Sequence, residues 1–206
     1  MDKSKFVDIV KPYTMTTEIR ILSLFDSLEE LRVNGIEGEL VECGVWQGGN
    51  ILGIISYLSY HKIYRKVWLY DTFDGMINPG IYDVDYNNGS GNDWVGKCYA
   101  DIDFVKNVIN KSGYPEELIN FVKGDICQTL LDEKNIPEKI SLLRLDTDWY
   151  ESTKIELEVL YPILTKGGIL IIDDYGHWKG CKKAVDEYFL NLQKEEIDYT
   201  CIRIRK

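Results

Sequence analysis

Apolar residues in this chain recur with two spacings, one typical of buried strands and one typical of helices. Short, densely apolar runs predict strands over 39–45, 66–71, 119–125, 140–146 and 168–174, and a final strand over 197–206. Helical spacing predicts helices over 16–35, 51–61, 101–111, 151–164 and 181–192. Continuously apolar strands that alternate with helices indicate an α/β fold, with a mostly parallel sheet covered by helices on both faces.

The first long helix has an apolar face at helical spacing. Its predicted members are Ile19, Leu22, Phe25, Leu28 and Leu31, and Asn34-Gly35 supplies a stop. With no internal repeat and no linker, we expect one domain over 1–206 that begins with a helical extension over 1–35.

Acidic residues collect at the ends of the predicted strands. In parallel α/β sheets the carboxyl ends of the strands share one rim, and ligands bind there. The acids expected at this rim are Glu42, Asp71, Asp125, Asp146, Asp148, Asp173 and Asp174.

Two features of the rim point to a nucleotide-like cofactor. Gly44, Gly48 and Gly49 form a turn between the first strand and the next helix, where the backbone can approach a ligand. Asp71 ends the second strand, a common place for an acid that binds ribose hydroxyls. Each feature alone also fits a plain structural turn or a helix cap, but together they favour a nucleoside-containing cofactor.

Asp146, Asp173 and Asp174 follow adjacent predicted strands and predict a metal site. Oxygen-only clusters suit hard divalent ions such as Mg²⁺, Mn²⁺ or Ca²⁺. Two alternatives stay open: one of the acids caps the following helix, or the acids pair with Arg144 and lysines.

The loop 75–96 is rich in Gly, Asn, Asp and Tyr and is too polar to pack a core. Because it leaves the second strand, it starts at the same rim as the acids. Tyr82, Tyr86 and Trp94 are suited to stacking on sugar rings. The polar side chains suited to binding ring hydroxyls are Asp83, Asp85, Asn87, Asn88 and Asn92. We therefore predict a mobile loop that closes over the acceptor, with His177 nearby; an incidental surface loop is the alternative.

Composition narrows the functional classes. The 206 residues are 45 % hydrophobic and carry a net charge of 24 − 34 = −10, which favours solubility and disfavours nucleic-acid binding. No apolar run reaches the ~18 residues of a membrane span, and the first residues lack a signal-peptide core. Five scattered cysteines predict reduced thiols and a cytoplasmic location. No Walker A or GxSxG motif is present, which argues against an NTPase or a serine hydrolase.

Longer motifs carry a family resemblance. VECGVWQGG, YDTFDGM, FVKGD and LRLDTDWYESTKIELEVLYPILTKGGILIIDDYG, followed by CKKAVDEYF, resemble the macrocin O-methyltransferase family of sugar methyltransferases. The resemblance runs from about residue 20 to the C-terminus and is most specific over 143–188. It implies a Rossmann-like class I fold, S-adenosylmethionine as cofactor, a bound Mg²⁺ and a sugar-containing acceptor.

The resemblance also implies roles for individual residues. Glu42, Gly44 and Asp71 match cofactor-binding positions, and Asp125 falls where adenine is held. Asp146, Asp173 and Asp174 match the metal ligands, and Asp148 matches the general base. Two regions are shorter than in the family: the N-terminal region and the segment QKEEIDYT. Both leave the size of the acceptor and the contacts of a homo-oligomer open. The short QKEEIDYT segment also predicts a reduced closing pair of strands. A catechol-type methyltransferase and a non-catalytic protein of the same fold are the alternative readings.

Overall fold

The structure is a computed structural model that describes residues 1–191 and 193–206. Its α-helices are α1 (Lys3–Val10), α2 (Glu18–Val33), α3 (Gly49–Tyr60), α4 (Ile102–Ile109), α5 (Ile126–Thr129), α6 (Tyr150–Val159) and α7 (Lys179–Tyr188). Its strands are β1 (Glu39–Cys43), β2 (Val67–Asp71), β3 (Ile119–Lys123), β4 (Ile140–Leu145), β5 (Leu164–Ile172), β6 (Glu195–Glu196) and β7 (Ile202–Arg205). Short 3₁₀ segments lie at Lys11–Tyr13, Gly91–Trp94, Asn110–Ser112, Glu116–Leu118 and Glu133–Asn135.

The strands form one sheet in the order β3-β2-β1-β4-β5-β7-β6. β1 to β5 pair in parallel, while β7 runs antiparallel to β5 and β6 antiparallel to β7. The predicted α/β fold with a mostly parallel sheet is confirmed. β6 has only two residues, so the closing pair of strands is indeed short.

Alternate strand residues face two separate cores. Leu40 and Leu142 belong to the core under α1 to α4, whereas their neighbours Val41 and Leu143 belong to the core under α5 to α7. This two-sided burial explains why the strands read as continuous apolar runs rather than as alternating ones.

Several predicted boundaries were wrong. The helix predicted over 151–164 ends at Val159, because Pro162 cannot continue a helix, and β5 begins already at Leu164, where it pairs with Ile140. In α2, Ile19 is 52 % exposed, and the buried stripe starts instead at Ile21. The helix predicted over 181–192 spans Lys179–Tyr188, and its predicted last residue, Leu192, lies outside the described residues.

The N-terminal helix α1 packs on α3 and completes one core. Phe6 and Val10 are fully buried, and a side chain at Gly53 would put its Cβ 2.4 Å from Val10 Cγ2. Among the helices of residues 1–191 and 193–206, none combines the length and apolar character needed to cross a bilayer.

Candidate active site

A cavity of about 360 Å³ opens at the carboxyl ends of the parallel strands, within the size range of small-molecule sites. It brings together nine of the residues predicted from the sequence: Gly44, Asp71, Trp94, Asp125, Asp146, Asp148, Asp173, Asp174 and His177. Five others do not line it: Glu42, Gly48, Gly49, Tyr82 and Tyr86.

The turn after β1 is assembled by Asp71. Its Oδ2 accepts hydrogen bonds from the backbone N–H groups of Val45 (2.7 Å) and Trp46 (3.0 Å), and its Oδ1 accepts one from Phe73 N–H (2.8 Å). Gly44 has φ +80°, and a Cβ there would lie 2.0 Å from the carbonyl oxygen of Asp146. Asp71 and Gly44 thus bring the ends of β1, β2 and β4 together at the cavity wall.

The other two glycines of the turn contact protein rather than the cavity. A Cβ at Gly49 would lie 2.6 Å from the carbonyl oxygen of Tyr13, and one at Gly48 would lie 3.0 Å from Val105. The N-terminal segment packs over this part of the turn. Close packing against the chain therefore accounts for Gly49, and close packing together with a left-handed backbone (φ +82°) accounts for Gly48.

Glu42 lies beneath the cavity in a buried polar network. Its Oε1 accepts hydrogen bonds from Arg144 Nη1 (2.7 Å) and Asn50 Nδ2 (3.1 Å). Burial raises the pKa of Glu42 to about 7, against the opposing attraction of Arg144. Asn50 lines the cavity, so Glu42 reaches the site only through its neighbours.

Asp125 begins α5 as its N-cap. Its Oδ1 accepts a hydrogen bond from Cys127 N–H at 2.9 Å, and the residue lines the cavity. Asp125 therefore caps a helix and also lies at the cavity wall.

Asp146, Asp173 and Asp174 bring one carboxylate oxygen each to within 4.8 Å of one another. Asp174 Oδ2 is buried and has no hydrogen-bond partner among the described residues. Such an oxygen is costly unless something binds it. An oxygen-only cluster with one unsatisfied member fits a hard divalent ion.

Two arginines, the buried Arg144 and the half-buried Arg20, neutralise part of this charge. Arg144 bonds Asp146 Oδ2 (2.7 Å) and Asp173 Oδ1 (2.5 Å), and Arg20 bonds Asp173 Oδ2 (2.6 Å). The pairing predicted as an alternative to a metal therefore exists. It is incomplete, because Arg20 is shared with Asp198 and Arg144 with Glu42. Six acids (Glu42, Asp146, Asp148, Asp173, Asp174 and Asp198) thus face two guanidinium groups, which gives −6 + 2 = −4 when all are ionised.

Asp148 sits beside the cluster in a left-handed backbone conformation, with φ +67°. Its Oδ1 accepts a hydrogen bond from the indole Nε1 of Trp178 at 2.7 Å. Burial, and then the charge of Asp146, raise the pKa of Asp148 well above its usual range. A carboxyl with a raised pKa and a fixed orientation has the properties of a proton acceptor.

The loop 75–96 reaches the cavity with its two ends. Gly75, Met76, Ile77 and Trp94 line it, whereas Tyr86 packs edge-on against His177, with ring centroids 5.5 Å apart. Tyr82 packs against Tyr150 on the outside of the protein, so the structure does not bring it to the cavity. Asp85 accepts hydrogen bonds from Asn87 and Gly89 N–H, and so shapes its own turn.

Arg20, Tyr199 and Trp178 are among the cavity residues that the sequence did not predict. Arg20 comes from α2, and nothing in the local sequence links it to Asp173. Tyr199 lies next to β7, and its hydroxyl lies 3.2 Å from His177 Nδ1. Of these three, Trp178 could have been predicted from the sequence, because it directly follows His177, shortly after Asp173 and Asp174.

This sheet order, with a cavity over the carboxyl ends of β1 and β4, is that of a class I S-adenosylmethionine-dependent methyltransferase. Residues 8–206 match the family described as Macrocin-O-methyltransferase (TylF), and the chain belongs to that family. It is an O-methyltransferase.

Three relatives illustrate the match. The chain is 32 % identical over 179 residues to 8-demethyl-8-(2,3-dimethoxy-alpha-L-rhamnosyl)-tetracenomycin-C 4'-O-methyltransferase of Streptomyces olivaceus, covering 85 % of this chain and 67 % of the relative. It is 30 % identical over 184 residues to mycinamicin III 3''-O-methyltransferase of Micromonospora griseorubida, covering 85 % and 70 %. The structure of the O-methyltransferase NovP superposes with a TM-score of 0.81 at 28 % identity, covering 94 % of this chain and 82 % of that one.

Proposed function

We propose that this enzyme transfers the methyl group of S-adenosylmethionine to a hydroxyl of a sugar-containing small molecule, in a reaction that depends on a divalent metal ion such as Mg²⁺. The observation that carries the proposal is the half-buried, oriented Asp148 beside a carboxylate cluster with an unsatisfied oxygen on Asp174. The names of the relatives support a glycosylated acceptor, since one acts on a rhamnosyl-tetracenomycin.

Cofactor binding is assigned to the half of the cavity formed by the turn after β1 and by the ends of β2 and β3. Gly44 allows close approach, Asp71 is suited to ribose hydroxyls, and Asp125 lies where adenine would be held. Asp71 must perform this role while its oxygens also accept backbone hydrogen bonds, which its remaining lone pairs allow.

Asp146, Asp173 and Asp174 would hold the metal. When bound, a divalent ion would act as a Lewis acid that lowers the pKa of the acceptor hydroxyl. Asp173 already bonds two arginines, so it would contribute its remaining lone pairs, whereas Asp174 Oδ2 is free for this purpose among the described contacts.

Asp148 would take the proton of the acceptor hydroxyl, so that the oxygen can attack the methyl carbon in line. Trp178 keeps the carboxylate in a fixed orientation through its indole N–H. Trp94, His177 and Tyr199 would form the acceptor side of the cavity, with Tyr86 behind His177. We place the reaction on free small molecules in the cytoplasm, in keeping with five cysteines that form no disulfide over the described chain.

The test is transfer of a labelled methyl group to a panel of nucleotide-activated deoxysugars, deoxysugar glycosides and catechols. We expect methylation of a sugar hydroxyl, its loss after exhaustive chelation, and recovery on adding Mg²⁺. Methylation of catechols alone would overturn the acceptor class, and full activity after chelation would overturn the metal dependence.

A further inference from the structure

The acceptor loop 75–96 contains a buried carboxylate that does not face the cavity. Asp83 is 2 % exposed, while its neighbours Tyr82 and Tyr86 are 40 % and 55 % exposed. Its Oδ1 accepts a hydrogen bond from Tyr150 N–H at 2.8 Å, and its Oδ2 accepts one from Gly80 N–H at 2.6 Å. The side chain therefore joins the loop to a distant part of the chain.

Asp83 caps a helix that lacks a cap of its own. Tyr150 is the first residue of α6, and the preceding Trp149 makes no side-chain capping hydrogen bond. A carboxylate at a helix start satisfies a free N–H and interacts favourably with the helix dipole. Here the loop supplies that carboxylate.

A second helix start closes around the same carboxylate. A Cβ at Gly180, in the first turn of α7, would lie 1.8 Å from Asp83 Oδ1 and 3.1 Å from Tyr150 N. Only glycine leaves room for the carboxylate there. Asp83 is thus wedged between the first turns of α6 and α7.

The two helix starts carry the proposed base and its hydrogen-bond donor. Tyr150 follows Asp148 by two positions, and Gly180 follows Trp178 by two positions. The loop backbone also runs beside Trp178: Asp85 pairs with it in an antiparallel bridge, and Val84 C=O accepts a hydrogen bond from Lys179 N–H at 2.9 Å. Asp83 and the loop backbone next to it therefore contact both segments that carry the Trp178–Asp148 hydrogen bond.

We propose that Asp83 is a positioning residue, which fastens the acceptor loop to the starts of α6 and α7 and thereby sets the geometry of the Trp178–Asp148 pair. This inference rests on the proposed role of Asp148. Because Asp83 does not line the cavity, it acts through the residues it holds. Small displacements of a reacting group are costly, with about 10²-fold in rate for a 1 Å misplacement.

The first variant is Asp83→Ala, with Asp93→Ala as the matched control, an exposed aspartate of the same loop. For the best acceptor of the panel, we expect Asp83→Ala to lower kcat by about 10- to 100-fold with little change in affinity for S-adenosylhomocysteine. The indole N–H signal of Trp178 in ¹⁵N NMR, assigned with Trp178→Phe, should shift. Asp93→Ala should leave all three quantities unchanged.

The second variant perturbs the contact from the opposite side. Gly180→Ala places a methyl group where the carboxylate lies, so it should reproduce the kcat loss and the Trp178 shift. In Asp83→Ala/Gly180→Ala the methyl group has room, so the double variant should be little worse than Asp83→Ala alone. Asp83→Asn keeps the Oδ1 acceptor and serves as the milder variant if Asp83→Ala fails to bind S-adenosylhomocysteine.

Unchanged kcat and an unchanged Trp178 signal in a folded Asp83 variant would overturn the inference, as would additive losses in the double variant. The NMR signal needs no acceptor. If no sugar is methylated, the proposed function fails, while the Trp178 shift still decides whether Asp83 holds the pair.

Discussion

Among the three proposed metal ligands, Asp174 is the one with a buried carboxylate oxygen that no described residue satisfies. Asp146 and Asp173 are bonded to Arg144, whereas Asp174 Oδ2 is buried without a partner over the described residues. The sequence predicted that these three acids lie together, because strand ends of a parallel sheet share a rim. It could not predict which of them an arginine balances, since Arg144 contacts acids from three different strand ends.

Metal affinity should depend on pH through this residue. Burial, and then the charge of Asp148, raise the pKa of Asp174 well above its usual range, so the free site binds protons that a metal must displace. Mg²⁺ affinity should therefore rise with pH as this carboxyl loses its proton, with proton release on binding. Calorimetry in two buffers of different ionisation enthalpy measures both, and an affinity independent of pH would contradict this account.

Asp174→Asn is the cleanest removal of a metal ligand. It should abolish Mg²⁺ binding and activity while affinity for S-adenosylhomocysteine is kept. Asp173→Asn is the contrasting variant: it breaks buried bonds to Arg20 and Arg144, so it should lower the free energy of unfolding by about 3–5 kcal/mol. Urea unfolding of both variants separates the roles, and equal destabilisation would argue against the distinction.

At the scale of elements, the turn between β1 and α3 shows how much structure a short glycine motif can predict. Its glycines were predicted to approach a ligand, and Gly44 does line the cavity. Gly48 and Gly49 pack instead on α4 and on the N-terminal segment. Their partners are distant in sequence, so glycine spacing alone could not distinguish packing from ligand binding.

Asp71 holds that turn together and lines the part of the cavity proposed for the cofactor. Its substitution should therefore weaken cofactor binding. Asp71→Ala should weaken binding of S-adenosylhomocysteine by about 1–3 kcal/mol, because backbone N–H groups and ribose hydroxyls lose their acceptor. Asp74→Ala, an exposed acid three residues on, is the control. Calorimetry measures the affinity of both variants for S-adenosylhomocysteine, and equal affinities would show that Asp71 is not part of the cofactor site.

At the scale of the whole molecule, the strand pattern and the order of elements were enough to predict the sheet. The antiparallel edge of β7 and the packing of α1 were not predictable from periodicity, because both depend on long-range contacts rather than on local spacing. The predicted mobility of the loop 75–96 stays a prediction, while its backbone bonds to α7 show how it is anchored in this structure.

The packing of α1 gives a prediction for the whole core. Phe6 is fully buried against Phe25, with ring centroids 5.3 Å apart, so Phe6→Ala should lower the free energy of unfolding by about 3–5 kcal/mol. Ile81→Ala removes an apolar side chain that is 87 % exposed and should have almost no effect. A small loss in Phe6→Ala by urea unfolding would show that α1 is not part of the core.

The most direct test of the account is methyl transfer by Asp148→Asn, with the acceptor found in the panel. Asparagine tolerates the left-handed backbone of residue 148 and keeps an oxygen for the indole N–H of Trp178, so the variant removes the proton-accepting carboxylate while this hydrogen bond can still form. We predict unchanged binding of S-adenosylhomocysteine and Mg²⁺, with transfer slower by about 10²- to 10⁴-fold. An unchanged rate, or loss of the metal in this variant, would contradict the assignment of Asp148 as the base.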